Sequence, residues 1–423
     1  MNTFTIHRLH AREILDSRGR PTVWAECALA SGVTGAASTP SGASTGRAEA
    51  SELRDGEAGR YGGLGCRRAV ENIRGTLHEQ LQGRVFATQA EFDAELRRID
   101  GTPTLGRIGA NATVAVSLAF ARAGAAQRGV PLYQHFADLA GRPLRTLPRL
   151  TVNLFSGGKH AGEQAPLQDI LVVPKRAATT GDALADVAAV YRSAADLIWK
   201  KYQQRLLRAD EGGLAPLFPD AEAMLGDAVA AITAAGFAAG TDVALAVDVA
   251  SSHFYRGGRY QLCREPLTPE AMIDRIDAWT RRYPLVSVED GLSEDDWTHW
   301  PALRARLAGR CLTLGDDLLC TQPQRINRAV ASGAADALLL KVNQVGTLSD
   351  AGEAAALARA AGWKITVSAR SGDTEDDWLA DLAVGWGAEF IKVGSITQSE
   401  RLAKYNRLLA IEEATGLPLC PLP

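Results

Sequence analysis

The feature that most constrains the fold is a pattern that recurs six times in the second part of the chain. A short apolar run ends in a charged residue, and a helical stretch follows it. The runs are ALAVD, PLVSVE, LTLGD, ALLLK, ITVSAR and EFIK, which end at Asp248, Glu289, Asp316, Lys341, Arg370 and Lys392. Successive ends lie 22 to 41 residues apart, close to one strand–helix unit each. The pattern predicts an α/β barrel whose parallel strands bring all six residues to one end.

The first part of the chain has a different pattern. Alternating, β-rich runs such as TVWAECAL occupy the first forty residues, and residues from about 66 to 140 have the apolar period of helices. Strands followed by helices are typical of an α+β domain. The segment GRPLRTLP, residues 141–148, separates the two patterns. We therefore predict an N-terminal α+β capping domain over residues 1–141 and a β/α barrel domain over residues 142–423.

Composition narrows the classes of partner. The 423 residues carry a formal net charge of -3, which offers no broad basic field for nucleic acid. The N-terminal segment lacks an apolar signal region, and no apolar run is long enough to cross a membrane. We expect a cytoplasmic protein with no nucleic-acid or membrane partner. Six widely spaced cysteines without a C-x-x-C pair argue against a zinc site or a disulfide framework.

Three of the strand-end residues are carboxylates. Asp248, Glu289 and Asp316 would offer hard oxygen ligands at one barrel mouth, a donor set that suits Mg²⁺. The alternative is that they cap loops or pair with nearby arginines.

Two lysines would face these carboxylates. A lysine with an ordinary pKa near 10.4 is protonated at neutral pH, but a nearby cation or burial can lower that pKa by up to about 3 units. Lys341 or Lys392 could then remove a proton beside a substrate carboxylate. The resulting dianion needs metal charge to stabilise it, so base and metal belong together. The alternative is a structural ion pair of a lysine with Asp316 or Glu289.

Longer motifs carry a resemblance over almost the whole chain. They include ILDSRGRPTV, PSGASTGRAEASELRDG, IGANATVAVSLAFARA, NLFSGGKHAG, ADEGGLAP, DVASSHFY, VSVEDGLSEDDW, GDDLLCT, LLLKVNQVGTLSDA, RSGDTEDDWLADLAVG and SERLAKYNRLLAIEE. In this order they resemble the enolase family. The resemblance implies an enolase-type TIM-like barrel with an N-terminal α+β domain and a magnesium-dependent hydro-lyase activity.

The resemblance also implies roles for individual residues. Two Mg²⁺ ions are expected, the second arriving with substrate, and their ligands would be Asp248, Glu289, Asp316 and Ser44. Lys341 would take the C2 proton, Glu211 would help the C3 hydroxyl leave as water, and Asp169 is assigned to catalysis with them. The substrate contacts would be His160, Gln168, Lys392, Arg370, Ser371 and Ala369. Without the family pattern, the glycines beside Ser44 would indicate no more than a tight turn.

Two departures from the family motifs fall near the reacting atoms. Ala369 stands where the S-H-R-S-G motif has histidine, which opens space beside the substrate. Asp169 replaces the glutamate of a Q-E pair, and the shorter side chain withdraws its carboxylate by about 1.3 Å. A displacement of about 1 Å at a reacting centre can cost on the order of 100-fold in rate. Val393, Gly291 and His253 are further departures.

These departures lead to a prediction about the substrate. Enolase-like proteins act in phosphonate and phosphinate natural-product biosynthesis, where a carboxyphosphono group replaces phosphate. We predict a lyase that forms carboxyphosphonoenolpyruvate from a phosphorylated or phosphinylated hydroxy acid. One alternative is an ordinary glycolytic enolase that converts 2-phosphoglycerate to phosphoenolpyruvate and whose pocket residues have changed by drift. The other is a non-catalytic enolase-like binding protein.

The resemblance further implies a homodimer. Arg12 and Glu413 match a charge pair that joins family subunits, whereas Trp24 and Ala410 stand where a second pair has an acid and an arginine. Loss of both partners leaves no unpaired charge, and Trp24 adds apolar surface. We expect a dimer with a remodelled interface.

Overall fold

The computed structural model describes residues 3–43, 45–162, 165–262 and 265–422. Its N-terminal part contains a four-stranded antiparallel sheet with the strand order β3-β2-β1-β4. Its strands are β1 Phe4–Leu15, β2 Pro21–Leu29, β3 Thr34–Ser38 and β4 Val85–Phe86. The helices that follow are α1 Arg67–Asn72, α2 His78–Leu81, α3 Gln89–Asp100, α4 Ala110–Arg128 and α5 Leu132–Leu139. A π-helical turn, Ile73–Leu77, joins α1 to α2.

Helix α4 is the centre of this N-terminal part. Nearly all its side chains are buried, and it packs on β2 and β3 on one side and contacts α11 (Leu348–Ala360) of the barrel on the other. The strand comes very close to the helix: a Cβ at Gly35 would lie 2.2 Å from the backbone nitrogen of Ala123. Glycine is therefore required at residue 35, since any larger residue would push β3 off the helix.

Eight strands close the barrel, in the order β10-β11-β12-β13-β14-β5-β6-β7. They are β5 Arg149–Ser156, β6 Asp169–Pro174, β7 Val243–Asp248, β10 Leu285–Glu289, β11 Leu312–Gly315, β12 Ala337–Leu340, β13 Lys364–Ser368 and β14 Phe390–Gly394; a small hairpin, β8 Tyr255–Arg256 and β9 Arg259–Tyr260, lies outside. The other barrel helices are α6 Thr180–Tyr202, α7 Ala221–Ala234, α8 Pro269–Arg282, α9 Trp300–Leu307, α10 Pro323–Ser332, α12 Trp378–Gly385 and α13 Ser399–Thr415. The predicted fold class is confirmed.

Strand β6 departs from the expected parallel pattern. It runs antiparallel to both β5 and β7, whereas the remaining barrel neighbours are parallel. The connection from β5 to β6 spans residues 157–168, and its described residues include one short 3-10 turn, Gly158–Ala161, and no α-helix. Parallel strands need a long crossover, usually a helix, so this short connection returns the chain in the opposite direction.

The six charged residues do not all end their strands. Asp248 and Glu289 are the last residues of β7 and β10, and Lys341 follows β12 directly. Arg370 lies two residues beyond β13. Lys392 lies inside β14, because the strand continues through Val393 to Gly394, and the Lys392 side chain is buried.

Local sequence explains many of the helix starts. Thr88, Thr179, Asp220, Thr268 and Thr347 each accept a hydrogen bond from the third residue of the helix they precede. One large apolar cluster lies between the barrel strands and their helices, and a second lies between the N-terminal sheet and its helices. A smaller cluster that includes Leu171, Ala246 and Phe390 lies inside the barrel. No helix in the described ranges is long and apolar enough to span a membrane. The five described cysteines are free thiols, and Cys263 lies outside the described residues.

Candidate active site

A cavity at the carboxyl ends of the barrel strands collects most of the predicted site residues. Its lining consists of Ala43, His160, Gln168, Glu211, Asp248, Asp316, Lys341, Ser368, Ala369, Arg370, Ser371 and Lys392. Ten of the thirteen predicted residues are in this lining. Asp169 and Glu289 are buried just behind it, and Ser44 lies outside the described residues.

Two of the predicted metal ligands meet at one lysine. The Nζ atom of Lys392 donates to Asp248 Oδ2 at 2.9 Å and to both oxygens of Glu289 at 2.9 and 2.8 Å. Gln168 Nε2 donates to the same Asp248 oxygen at 3.0 Å. Neighbouring strands produce this convergence, because Asp248 and Glu289 are paired in register across β7 and β10.

The third carboxylate is held by the second lysine. Lys341 Nζ donates to Asp316 Oδ2 at 2.5 Å, and Gln344 Nε2 donates to Asp316 Oδ1 at 2.9 Å. Thr321 Oγ1 donates to Gln344 Oε1 at 2.6 Å, which fixes the orientation of that amide. Both lysines thus form the ion pairs that were the alternative to a base role.

Electrostatics show how strongly these groups depend on one another. Burial and the neighbouring Asp248 carboxylate raise the pKa of Glu289 well above its ordinary value. Burial alone would raise the pKa of Asp248, but Lys392 outweighs it and lowers the pKa to about 2. Burial would lower the pKa of Lys341, yet Asp316 raises it, so this lysine is held as an ammonium. A cation on Asp316 would remove that restraint.

A second cluster lies on the opposite wall. His160 Nδ1 and Asp169 Oδ2 are 3.0 Å apart, and His160 Nε2 lies 3.9 Å from Glu211 Oε1. Asn153 Nδ2 donates to both acids, at 2.8 Å to Asp169 Oδ1 and 3.0 Å to Glu211 Oε2. Ser156 Oγ donates to Asp169 Oδ1 at 2.5 Å. Asp169 therefore contacts Asn153, Ser156 and His160, and of these four residues only His160 is part of the cavity lining.

Proton positions in this cluster follow from its charges. Burial would lower the pKa of His160, but Asp169 and Glu211 outweigh it and raise the pKa to about 9. Burial would raise the pKa of Glu211, and the cationic His160 lowers it. The pair therefore carries its proton on the imidazole, next to an ionised glutamate.

The third wall is the Arg370–Ser371 pair. Arg370 donates from Nη1 to Glu49 Oε2 at 2.9 Å and from Nη2 to Glu49 Oε1 at 3.2 Å. Ser371 Oγ accepts from the backbone nitrogen of Ala43 at 2.7 Å and from Arg18 Nη1 at 3.1 Å. The N-terminal domain thus contributes side chains and backbone to the barrel mouth.

Ala369 lies between these walls. Its backbone nitrogen donates to the carbonyl oxygen of Lys392 at 2.8 Å, and its methyl group lines the cavity. The methyl group offers no hydrogen bond there, in contrast to the imidazole of the family motif.

Sequence analysis missed three polar residues that organise the site: Asn153, Gln344 and Glu49. Asn153 is a polar residue in the otherwise apolar run LTVNLF, which is a usable signal. Gln344 follows Lys341 within the motif LLLKVNQVG, and Glu49 follows the loop motif SGASTG. Their roles depend on contacts across 28 and 321 residues of chain, which no local pattern reveals.

Comparison with protein-family models gives two matches. The model described as the enolase N-terminal domain matches residues 6–136. The model described as the enolase C-terminal TIM barrel domain matches residues 144–418. Enolases depend on Mg²⁺. In the part of the chain that the structure describes, two buried groups have ligand atoms within 4.8 Å of one another: Asp290, Asp316 and Asp317, and His160, Asp169 and Glu211. Of the predicted metal ligands, Asp316 belongs to one of these groups. These two matches cover nearly the whole chain, which belongs to the enolase family.

Proposed function

We propose that this protein is a magnesium-dependent hydro-lyase that forms carboxyphosphonoenolpyruvate from a carboxyphosphono analogue of 2-phosphoglycerate. The observation that carries the proposal is Ala369, a methyl group on the cavity wall beside Arg370, in a lining that keeps both lysines, Glu211 and the Arg370–Ser371 pair. An additional carboxylate on phosphorus needs room at this wall, and a histidine side chain would occupy it.

The steps of the reaction are divided between two walls, one that carries Lys341 and Lys392 and one that carries His160 and Glu211. Lys341, as the neutral amine, would take the C2 proton; the C2–H electrons form the C2–C3 double bond, and the C3–O bond breaks. The departing hydroxide takes a proton and leaves as water. We assign that proton to the His160–Glu211 pair, since the pair carries one at neutral pH and lines the cavity. Lys392 would hold the substrate carboxylate.

Asp248, Glu289 and Asp316 are the residues that would hold Mg²⁺. Their fit is supported by the pKa of Glu289, which burial and the two neighbouring carboxylates raise well above its ordinary value. Buried carboxylates that repel one another gain most from a divalent cation. Bound there, Mg²⁺ would supply positive charge to stabilise the dianion formed at C2. Ser44 and a second ion remain part of the proposal.

Asp169 fits an indirect role. Three side chains, from Asn153, Ser156 and His160, surround its carboxylate, so that it does not line the cavity. We propose that Asp169 positions His160 and keeps it protonated. Its short side chain sets the depth at which the imidazole lies.

Ordinary enolase activity on 2-phosphoglycerate is the second candidate. It is favoured by the retention of both lysines, three carboxylates, Glu211 and the Arg370–Ser371 pair in one cavity mouth. A homodimer in the cytoplasm completes the proposal. Arg12 supports a changed interface, because its guanidinium stacks 3.9 Å over the Trp24 ring on the outer face of the sheet.

The test is turnover of the two acids by the purified protein with Mg²⁺. The enol product is followed by absorbance and by phosphorus NMR, for the wild type and for Ala369→His. We expect wild-type turnover of the carboxyphosphono acid, and at least a tenfold shift of the kcat/KM ratio toward 2-phosphoglycerate in the variant.

A matched control is Ala388→Ser, since Ala388 is a buried alanine in the connection from α12 to β14 and lies outside the cavity. Housekeeping rates on 2-phosphoglycerate, with no turnover of the carboxyphosphono acid, would favour the second candidate. Turnover of neither acid would refute both.

A further inference from the structure

The loop of residues 41–55, termed here the first loop, is bound to the barrel mouth by backbone contacts. Ser41 and Gly372 exchange two backbone hydrogen bonds, of 2.7 and 2.9 Å. The backbone nitrogen of Ala50 donates to the carbonyl oxygen of Gln344 at 2.8 Å. These contacts hold two described parts of the loop, at Ser41 and at Ala50, against the barrel mouth.

Glu49 is the loop residue that meets the predicted anion-binding arginine. Its two carboxylate oxygens accept from the two terminal nitrogens of Arg370, and the Arg370 and Glu49 side chains are only 2% and 9% exposed. Two-point contact between a planar guanidinium and a carboxylate fixes the plane of the arginine. A buried pair of this kind is sensitive to removal of either partner.

The Glu49 carboxylate is itself held from a second direction. Its Oε1 atom accepts from the backbone nitrogen of Gly46 at 3.0 Å. Gly46 has no room for a side chain, since a Cβ there would lie 2.3 Å from Cys320 Sγ. The contact of the loop backbone with the barrel thus sets the position of Glu49. Glu49 in turn sets the orientation of the Arg370 guanidinium.

Arg370 has a second polar neighbour on the barrel side. Asn343 Oδ1 accepts from its Nη1 atom at 3.2 Å. Arg401 donates to the carbonyl oxygens of Arg370 and Ser371, at 2.7 and 2.6 Å, and thereby fixes their backbone. Among the described residues, Glu49 contributes a contact from the N-terminal domain to this arrangement.

We propose that Glu49 is a positioning residue, which orients the Arg370 guanidinium for the phosphorus-bearing group of the substrate and makes that orientation depend on the seated first loop. This inference rests on the proposed function in assuming that Arg370 binds that group. The ligand class is an anion with phosphonate or phosphate oxygens.

The test is equilibrium binding of phosphonoacetate with Mg²⁺, measured by calorimetry, because binding requires no turnover. Four proteins form a double-mutant cycle: wild type, Glu49→Gln, Arg370→Gln and the double variant. Glu57→Gln is the matched control, since it removes the same charge from a nearby exposed residue. We expect Glu49→Gln to weaken binding about tenfold, Glu57→Gln to leave it unchanged, and Glu49→Gln to add nothing once Arg370 is replaced.

Two results would overturn the inference. Tighter binding by Glu49→Gln would show that Glu49 competes with the ligand for Arg370, and additive losses would show that it acts without Arg370. Glu49→Asp, which keeps the charge, should recover part of the affinity, and an unchanged unfolding midpoint separates positioning from misfolding. Because binding alone is measured, failure of turnover with an intact cycle would refute the proposed function and leave this inference standing.

Discussion

Two of the three walls of the cavity, the lysine wall and the acid wall, differ in how far they keep to the family pattern. The lysine wall, formed by Asp248, Glu289, Asp316, Lys341 and Lys392, has every residue that the family motifs predict. The acid wall, as the term is used here, comprises His160 and Glu211 together with Asp169 behind His160 and the adjoining Ala369; two of these four residues, Asp169 and Ala369, depart from the motifs. In the proposed function, proton removal depends on the first wall, whereas the second borders the groups in which the candidate substrates differ. The residues proposed for the reaction and those proposed for substrate choice thus lie in separate parts of one cavity.

The largest effect is expected on the lysine wall. Lys341→Ala should reduce kcat by about 10²- to 10⁴-fold, since loss of a general base costs on this order, while equilibrium binding of phosphonoacetate persists. The measurement is steady-state kinetics beside calorimetry. Lys364→Ala is the matched control, because Lys364 begins β13 at the opposite end of the barrel. Comparable losses in both variants would break the assignment of chemistry to this wall.

A smaller effect is expected from the buried glutamate of the same wall. Glu289→Gln removes one oxygen-ligand charge, so the Mg²⁺ concentration for half-maximal activity should rise by at least about tenfold. Added Mg²⁺ should also raise the unfolding midpoint of the wild type more than that of the variant. Glu353→Gln, a change at an exposed acid on α11, serves as the control. Equal Mg²⁺ requirements in all three proteins would contradict metal binding by Glu289.

The acid wall should respond mainly through pH. The pKa of His160 is raised to about 9, so its proton is present below that pH and is lost as the pH rises through it. In Asp169→Asn a main cause of the increase is gone and burial lowers the pKa, so the alkaline fall of kcat should move down by roughly one pH unit or more. Asp196→Asn, at an exposed residue of α6, should leave the profile in place. An unshifted profile in Asp169→Asn would separate Asp169 from His160.

Prediction from sequence succeeded where the signal was local and repeated. Apolar runs that end in charged residues indicated six barrel strands and the mouth at which their side chains meet. It did not predict the antiparallel direction of β6. The described residues between β5, which contains NLFS, and β6, DILVVP, form a short connection without a crossover helix, and such a connection reverses the chain. Lys392 was expected to end its strand, but β14 continues for two residues beyond it.

The site shows the same division. The identities of the lysines, carboxylates and arginine were predictable, because each occupies a recognisable motif. Which charges pair was not predictable. Lys341 meets Asp316 and not Glu289 because of the angle between strands and the burial of the groups. The energy of a charge pair changes strongly with burial and with a few ångströms of distance. The same holds for Asn153, which joins two acids from separate segments.

The sequence by itself determined the barrel, the N-terminal α+β domain, the family and the set of charged side chains expected at the barrel mouth, since these follow from periodicity and from long motifs. Only the tertiary structure decided which partner each charge has, that Asp169 lies behind His160, and that Glu49 of the N-terminal domain meets Arg370 of the barrel. The physical reason is range. Periodicity acts between neighbours along the chain, whereas hydrogen bonds and charge interactions act between neighbours in space, and folding brings these together from distant segments.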